Sequence, residues 1–178
     1  MSAPADAVIA PLAEADLAAV AALAREIWYR HYPGIITVRQ IDYMLDQRYR
    51  PEVIRAQLAS GNAWWVKLEV AGRLAGFAQY QLGEDPASMK IDKLYVHLRY
   101  RGSGFGSALI RHVEQAARAR GCSRLYLQVN KNNTGSIAAY ERNGFAVAKS
   151  VKVDIGGGYF MDDYVMDKNL GHEARDAA

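Results

Sequence analysis

The spacing of hydrophobic positions in the first third of the chain predicts one strand followed by helices. Residues 8–12 form a short apolar run that is typical of a strand. Residues 14–31 place apolar side chains every three or four positions, which predicts an amphipathic helix. A second helix of the same kind is predicted over residues 38–49. Pro51 then opens a further turn or short helix toward Leu58.

Strand patterns dominate the middle and the end of the chain. Residues 64–70 and 74–82 are separated by a short Ala-Gly turn, and this spacing predicts an antiparallel hairpin. Residues 149–154 and 159–167 predict two closing strands, joined at a run of three glycines. A short helix is predicted over residues 136–142, just before them. The chain therefore mixes helices with a sheet built largely from hairpins.

Between these parts, a strand, a glycine cluster and a helix follow one another. Residues 90–97 alternate their faces and carry four hydrophobic side chains, as a strand does. From Ser107 onward apolar residues recur at helical spacing until Gly121, which is a natural residue to end a helix. Residues 125–129 then form another apolar strand. A strand, a helix and a strand with so short a return imply a parallel pair and a right-handed crossover.

The composition is that of an ordinary globular domain. The 178 residues are 51% hydrophobic and 23% charged, which is enough for one hydrophobic core. We therefore expect a single domain over residues 1–170 and a disordered tail over residues 171–178. The four histidines are scattered and lack ligand spacing, so we expect no metal site.

Charge and targeting signals bear on partners and location. The formal net charge of +3 is mild and would suit an anionic cofactor as well as a nucleic acid. The chain has no long run of Lys or Arg, so we expect no nucleic-acid partner. No signal peptide or membrane span is predicted, and the single cysteine, Cys122, cannot form an internal disulfide. These features favour a cytoplasmic location and no membrane partner.

The glycine cluster is the strongest candidate for a ligand site. Gly102, Gly104 and Gly106 remove side chains just where the predicted helix begins. The free backbone N–H groups there, together with the positive end of the helix dipole, form a receptor for phosphate. Three arginines add positive charge around it: Arg99, Arg101 and Arg111. The alternative is a glycine-rich turn that only lets the helix and strand pack closely.

Two common phosphate-binding loops do not fit this cluster. A P-loop needs a lysine and then Ser or Thr after the last glycine, and no lysine follows Gly106. A dinucleotide fingerprint needs a third glycine where Ser107 stands. The run Arg101-x-x-Gly104-x-Gly106, preceded by strand residues 94–96, instead resembles the acetyl-coenzyme A signature of the GNAT N-acetyltransferases.

A second run resembles the next motif of the same family. Asn133 follows Val129 by four residues, Tyr140 comes seven residues later, and Gly144 then precedes Phe145. The resemblance implies that Asn133 contacts the pantetheine or pyrophosphate and that Tyr140 is the general acid at the thioester sulfur. The alternative from the residues alone is purely architectural, with Asn133 as a helix cap and Tyr140 as an ordinary helix residue.

The resemblance implies a fold, a cosubstrate and a set of contacts. The expected fold is mixed α/β, with about seven mostly antiparallel strands, a parallel pair splayed at the cofactor site, and about four helices. The expected cosubstrate is acetyl-CoA, with no metal. Its implied contacts are Leu94, Tyr95, Val96, Arg101, Gly102, Ser103, Gly104, Phe105, Gly106 and Asn133. In the family the strand residues offer backbone N–H groups to the acetyl oxygen.

The general base is harder to assign from the sequence. A primary ammonium must lose a proton before it attacks, because at neutral pH only about one in a thousand such amines is uncharged. Asp92, two residues before Leu94 on the predicted strand, is the candidate. A solvated acid or a salt bridge to Lys90 is an equally open interpretation. Many members of the resembled family carry a glutamate where this chain has Gln128, which leaves the base unassigned.

The acceptor is inferred from the end of the chain. Residues 154–166 resemble the corresponding end of bacterial spermidine/spermine acetyltransferases. Asp154, Asp162 and Asp163 there could attract a polycation, although acidic residues on a hairpin are more often simply solvated. Aromatic residues of the first helix are expected to face the acceptor, although they could equally be core: Trp28, Tyr29 and Tyr32. The resemblance implies a small primary amine such as a polyamine, and a homodimer as one candidate assembly. The alternatives are a protein N-terminus or lysine as acceptor, and a CoA-binding regulatory module without activity.

Overall fold

A computed structural model of the protein describes residues 6–171, and residues 1–5 and 172–178 lie outside it. The strands are β1 (Ala7–Pro11), β2 (Ala63–Val70), β3 (Arg73–Leu82), β4 (Ser88–Val96), β5 (Arg124–Asn130), β6 (Ala146–Gly156) and β7 (Tyr159–Asn169). The helices are α1 (Leu17–His31), α2 (Val38–Tyr49), α3 (Pro51–Ala59), α4 (Phe105–Ala119) and α5 (Thr134–Arg142). The predicted disordered tail lies outside the described residues except for Gly171.

The seven strands form one sheet in the order β1-β2-β3-β4-β5-β7-β6. Of the strands within residues 6–171, only β4 and β5 pair in parallel, and the other neighbouring pairs are antiparallel. This confirms the predicted mixed sheet with one parallel pair. Among residues 6–171 there are five α-helices rather than about four, because the segment after Pro51 forms a complete nine-residue helix with proline in its first turn. None of these helices combines the length and hydrophobicity needed to span a bilayer.

The parallel pair separates halfway along β4. Its register runs from Ser88 opposite Arg124 to Ile91 opposite Leu127, and no β4–β5 pairing is found beyond that point in the described residues. On the other side of β4, the ladder with β3 is shifted so that Asp92 is the extra residue of a bulge. The edge of β4 that faces β5 is therefore left without a strand partner over its second half.

Two hydrophobic clusters cover the two faces of the sheet. Phe77 and Ala78 are consecutive residues of β3 and belong to different clusters, because side chains alternate across a strand. One face packs against α4 through Leu109 and its neighbours. The other face packs against α1, α2 and α3 through residues such as Ile41. The gap between β4 and β5 consequently opens between two helical layers.

Candidate active site

A cavity of about 760 Å³ lies in the gap between β4 and β5. Its walls come from α1, α2, β4, the turn before α4, β5, α5 and β7. It runs from the glycine turn at Gly104 to Met161 and Asp163 on β7. A volume of this size suits a small-molecule or cofactor site.

The start of α4 forms an anion cradle within this cavity. Gly104 is the N-cap of α4 with φ of 81°, and Gly102 has φ of 78°. This left-handed backbone favours glycine and turns successive N–H groups toward one side. A Cβ placed on Gly102 or Gly106 would meet no atom within 4 Å, so the space in front of the turn is open. Arg101 also lines the cavity, whereas Ser103 is exposed outside its lining.

The glycine turn and the neighbouring strand line one continuous cavity, whose shape suits an extended ligand with an anionic end. Residues 94–96 line the same cavity, on the part of β4 that has no β5 partner. Free backbone groups along a strand edge can bind an extended chain as an added strand would. Phe105 lies in the lining but is almost completely buried, which anchors the first turn of α4 in the core.

His31, which the sequence analysis did not single out, lies between two of the predicted cofactor residues. Its Nε2 is 3.1 Å from Asn133 Oδ1, and its Nδ1 is 3.5 Å from the Arg101 guanidinium. Burial and the nearby Arg101 charge lower the pKa of His31. The structure thus brings Asn133 and Arg101 together around the end of α1. The sequence signal was weak, since a histidine in a last helical turn is common.

Tyr140 of α5 lines the cavity. Burial raises the pKa of Tyr140 to about 12, so its hydroxyl is protonated at neutral pH. Its ring packs edge-on against Phe145, with 5.9 Å between the ring centroids. Three further tyrosines share the lining, namely Tyr32, Tyr95 and Tyr100, and the hydroxyls of Tyr32 and Tyr95 are 2.9 Å apart. A protonated phenol facing a binding cavity is able to act as a proton donor.

Asp92, the predicted base, is held in a network of ion pairs. Its carboxylate is 2.7 Å from Lys93, 2.9 Å from Arg48 and 3.2 Å from Lys90. Burial alone would raise the pKa of Asp92, but these three cations hold it well below its usual range. The salt bridge to Lys90, which the sequence left open, is therefore present. A carboxylate with so low a pKa accepts a proton weakly.

Arg48 and Lys93 are cavity residues that the sequence analysis missed. Lys93 is only 3% exposed, and burial lowers its pKa to about 8. Its ammonium lies 5.1 Å from the centre of the Trp65 ring. Strand alternation could not have placed Lys93, because the bulge at Asp92 puts its side chain on the face of Trp65, opposite to that of Ile91. Helical spacing could have placed Arg48 inside, since it lies four residues after the buried Met44.

The two consecutive acids on β7 lie in different places. Asp163 lines the cavity and is 2% exposed, opposite Asn130 on β5. Burial raises the pKa of Asp163 to about 6. Asp162 lies outside the lining of this cavity, where its half-exposed side chain is 2.6 Å from Lys131. Of the two, the structure brings only Asp163 to the predicted site.

Of the three aromatic residues proposed for acceptor binding, two line the cavity and one does not. Trp28 and Tyr32 line the cavity, and their rings lie 4.5 Å apart. Tyr29 is absent from the lining, because its hydroxyl bonds to Asp42 and its ring lies under the Arg25 guanidinium. This division follows from the helix, where consecutive residues point about 100° apart.

The sequence is similar to proteins of known family. Residues 21–145 match the family described as Acetyltransferase (GNAT) family. Streptothricin acetyltransferase of Streptomyces lavendulae is 38% identical over 82 residues, which are 46% of this chain and 43% of that protein. Spermine/spermidine N(1)-acetyltransferase of Bacillus subtilis is 36% identical over 90 residues, covering 45% and 57%. The chain thus spans about half the length of the curated relatives it matches.

A solved structure shares the whole architecture. The PaiA N-acetyltransferase of Thermoplasma acidophilum, in complex with coenzyme A, superimposes with a TM-score of 0.78. The match covers 95% of this chain and 99% of that one, at 22% sequence identity. At this identity the likeness establishes the fold, which is the one the sequence predicted.

Proposed function

Because the chain belongs to the GNAT family of acetyltransferases, we propose that it moves an acetyl group from acetyl-CoA to a primary amine of a small molecule. Transfer takes place by direct attack of the amine on the thioester while both substrates are bound. The observation that carries this proposal is one cavity that joins the anion cradle at Gly104 to Tyr140 along the free edge of β4. The new N–C bond forms as the C–S bond breaks. The ammonium group loses two protons in becoming an amide, and the leaving thiolate takes up one.

The glycine turn and β4 hold the cosubstrate in this proposal. Acetyl-CoA supplies an acyl group activated as a thioester. The N–H groups at the start of α4, with Arg101, bind its phosphates. Residues 94–96 offer backbone groups to the pantetheine arm and to the acetyl oxygen. A preorganised donor of this kind lowers the barrier by about 3 kcal/mol.

Tyr140 is the proposed general acid. Its position in the cavity lining and its protonated state at neutral pH suit the donation of a proton to the sulfur that leaves. Tyr32 and Tyr95 pair with each other through their hydroxyls, which leaves the proton of Tyr140 available to a ligand in the cavity.

Asp163 is the base that the geometry favours over Asp92. Asp163 opens into the cavity with a pKa near 6, so at neutral pH it is mostly ionised and still basic enough to take a proton. The carboxylate of Asp92 forms ion pairs with Arg48, Lys90 and Lys93. These ion pairs disfavour Asp92 as the base, and that role stays a prediction. Proton removal through water molecules to Asp163 meets the same requirement.

A small amine is the proposed acceptor. By their names, two relatives act on streptothricin and on spermine or spermidine, and both are small amines. Trp28 and Tyr32 supply an aromatic wall for such a molecule, and Asp163 supplies a negative charge. The name of the Bacillus subtilis relative makes a polyamine one candidate acceptor. A cytoplasmic location, a homodimer and the absence of nucleic-acid and membrane partners stay predictions.

A thiol-release assay tests the proposal. The protein is incubated with acetyl-CoA and a panel of small amines, N-terminal peptides and lysine peptides, and free coenzyme A is measured. Turnover with at least one small amine is expected. Turnover with peptides alone would move the function to protein acetylation, and acetyl-CoA binding without any turnover would leave a CoA-binding module.

A further inference from the structure

The acceptor half of the cavity carries more positive than negative charge. We define the acceptor chamber as the part lined by α1, α2, the first half of β4 and β7. Five charged side chains of this chamber line the cavity: Arg48, Lys90, Lys93, Asp92 and Asp163. Three are cations and two are carboxylates, so the chamber has one positive charge in excess when all five are ionised.

A single carboxylate serves all three cations. The side chains of Arg48, Lys90 and Lys93 each form an ion pair with Asp92. Within residues 6–171, Lys90 has no other ion pair, and Lys93 adds a 3.4 Å hydrogen bond to Gln79 and cation–π contacts with Tyr49 and Trp65. The positive groups therefore have more hydrogen-bonding capacity than Asp92 can accept.

Arg48 shows this spare capacity most clearly. Both of its hydrogen bonds are made by Nη2, to the carboxylate and the backbone oxygen of Asp92. Its Nε is buried and has no partner among the described residues. Its side chain is nevertheless 25% exposed, and it lines the cavity. A guanidinium of this kind is suited to a second carboxylate, since its planar fork binds two acceptors at once.

We propose that the acceptor is an amine that also carries a carboxylate, such as an amino acid or its derivative, with that carboxylate bound by Arg48 and Lys90. This inference rests on the acetyltransferase function proposed above and names its substrate class. The amine of the same molecule lies toward Asp163 and loses its proton there. The carboxylate offsets the positive charge of the molecule's own ammonium group, so a zwitterion adds no net charge to the chamber, whereas a polyamine would add several positive charges to it.

Pairs of acceptors that differ only in the carboxylate test the proposal on the unmodified protein. Lysine is compared with cadaverine, ornithine with putrescine, and alanine with ethylamine, in the thiol-release assay. In at least one pair, kcat/KM for the carboxylated member should be greater by about tenfold or more, because a hydrogen bond between charged groups is worth about that factor. Lysinamide, which keeps both amines and lacks the charge, should behave like cadaverine.

The outcomes separate this inference from the proposed function. Turnover that is equal within every pair, or greater with cadaverine, putrescine or spermidine, would overturn the carboxylate site while leaving the acetyltransferase in place. Binding of acetyl-CoA with no turnover on any acceptor would overturn the proposed function and the inference with it.

A substitution of Lys90 tests whether the preference for carboxylated acceptors arises in the acceptor chamber. Lys90→Gln keeps Arg48 and Lys93 on Asp92, so the fold should be retained. It is expected to lower the ratio of kcat/KM between lysine and cadaverine by about fivefold. Lys131→Gln, which removes a lysine outside this cavity, should leave the ratio unchanged. A general loss of activity would lower kcat/KM for lysine and for cadaverine equally and would leave their ratio unchanged. An unchanged ratio in Lys90→Gln would therefore show that Lys90 does not bind the carboxylate.

Discussion

Arg48 Nη2 and Asp92 Oδ2 lie 2.9 Å apart, and this ion pair joins helix α2 to the bulge of β4 inside the cavity. The two residues are 44 positions apart in the chain. Because Lys93 and Lys90 contact the same carboxylate, Asp92 is the centre of a partly buried network. The pair therefore links the helical layer to the strand that forms the proposed thioester site.

Asp92→Asn should destabilise the protein by about 3 kcal/mol, because removal of one partner leaves buried cations without their counter-charge. Urea unfolding at neutral pH measures the loss. Asp46→Asn is the matched control, since Asp46 forms an exposed and longer pair of 3.9 Å with Arg50. That change should cost less than about 0.5 kcal/mol. Equal small losses in both variants would show that the network around Asp92 contributes little.

The same network predicts a dependence of stability on pH. The pKa of Asp92 is lower in the folded than in the unfolded protein. Its contribution is therefore fully present above the ordinary value of about 4 and is lost as the pH falls below it. The difference in unfolding free energy between the parent protein and Asp92→Asn should shrink as the pH is lowered from 6 toward the acid limit of folding. A difference that is constant over this range would contradict the low pKa.

Tyr140→Phe should lower kcat by about a hundredfold, the usual contribution of a general acid. The affinity for acetyl-CoA should stay within about twofold, because the anion cradle is untouched. Tyr126→Phe is a control on β5, since Tyr126 lies outside the cavity lining. Stopped-flow thiol release and a binding titration give the two quantities. Normal turnover in Tyr140→Phe would remove this residue from the mechanism.

Asp163→Asn distinguishes the two candidate bases. With a pKa of about 6, Asp163 is protonated below that pH, so kcat/KM of the parent protein should fall as the pH drops through 6. The variant should lose this inflection and about a hundredfold in kcat/KM at neutral pH. Asp162→Asn, the neighbouring acid outside the cavity lining, should retain both. If Asp163→Asn kept the inflection while Asp92→Asn lost it, Asp92 would be the base.

Gly102→Ala and Gly121→Ala form a matched pair for the anion cradle. Their φ angles are 78° and 76°, and an added Cβ would meet no atom within 4 Å at either position. Both changes should therefore cost about 1 kcal/mol of stability through the left-handed backbone. Only Gly102 lines the cavity, so only its substitution should weaken acetyl-CoA binding, by about tenfold. Equal affinities in the two variants would mean that the turn at Gly102 does not bind the cosubstrate.

The parts of the fold that depend on residues close together in the sequence were predictable from the sequence. The hairpin of β2 and β3 and the strand–helix–strand unit around α4 follow from local spacing and turn chemistry. The helix after Pro51 was only half predicted, because a nine-residue amphipathic segment carries too few apolar positions to separate a turn from a helix. Local sequence patterns also identified the glycines at the start of α4 and the placement of Tyr140 seven residues after Asn133.

Only the tertiary structure decided how these groups are ionised and which of them share the cavity. Tyr29 and Asp162 have the same chemistry as Tyr32 and Asp163, yet the sequence could not tell which member of each pair faces inward. Asp92 on β4 was a plausible base from the sequence, but in the structure it forms an ion pair with Arg48 of helix α2. The sequence by itself determined the family, through its two motifs, and the hairpin and the parallel pair of the sheet, since these depend on residue spacing and local backbone geometry. Proton affinity depends on charge and burial across space, and residues far apart in the chain supply both.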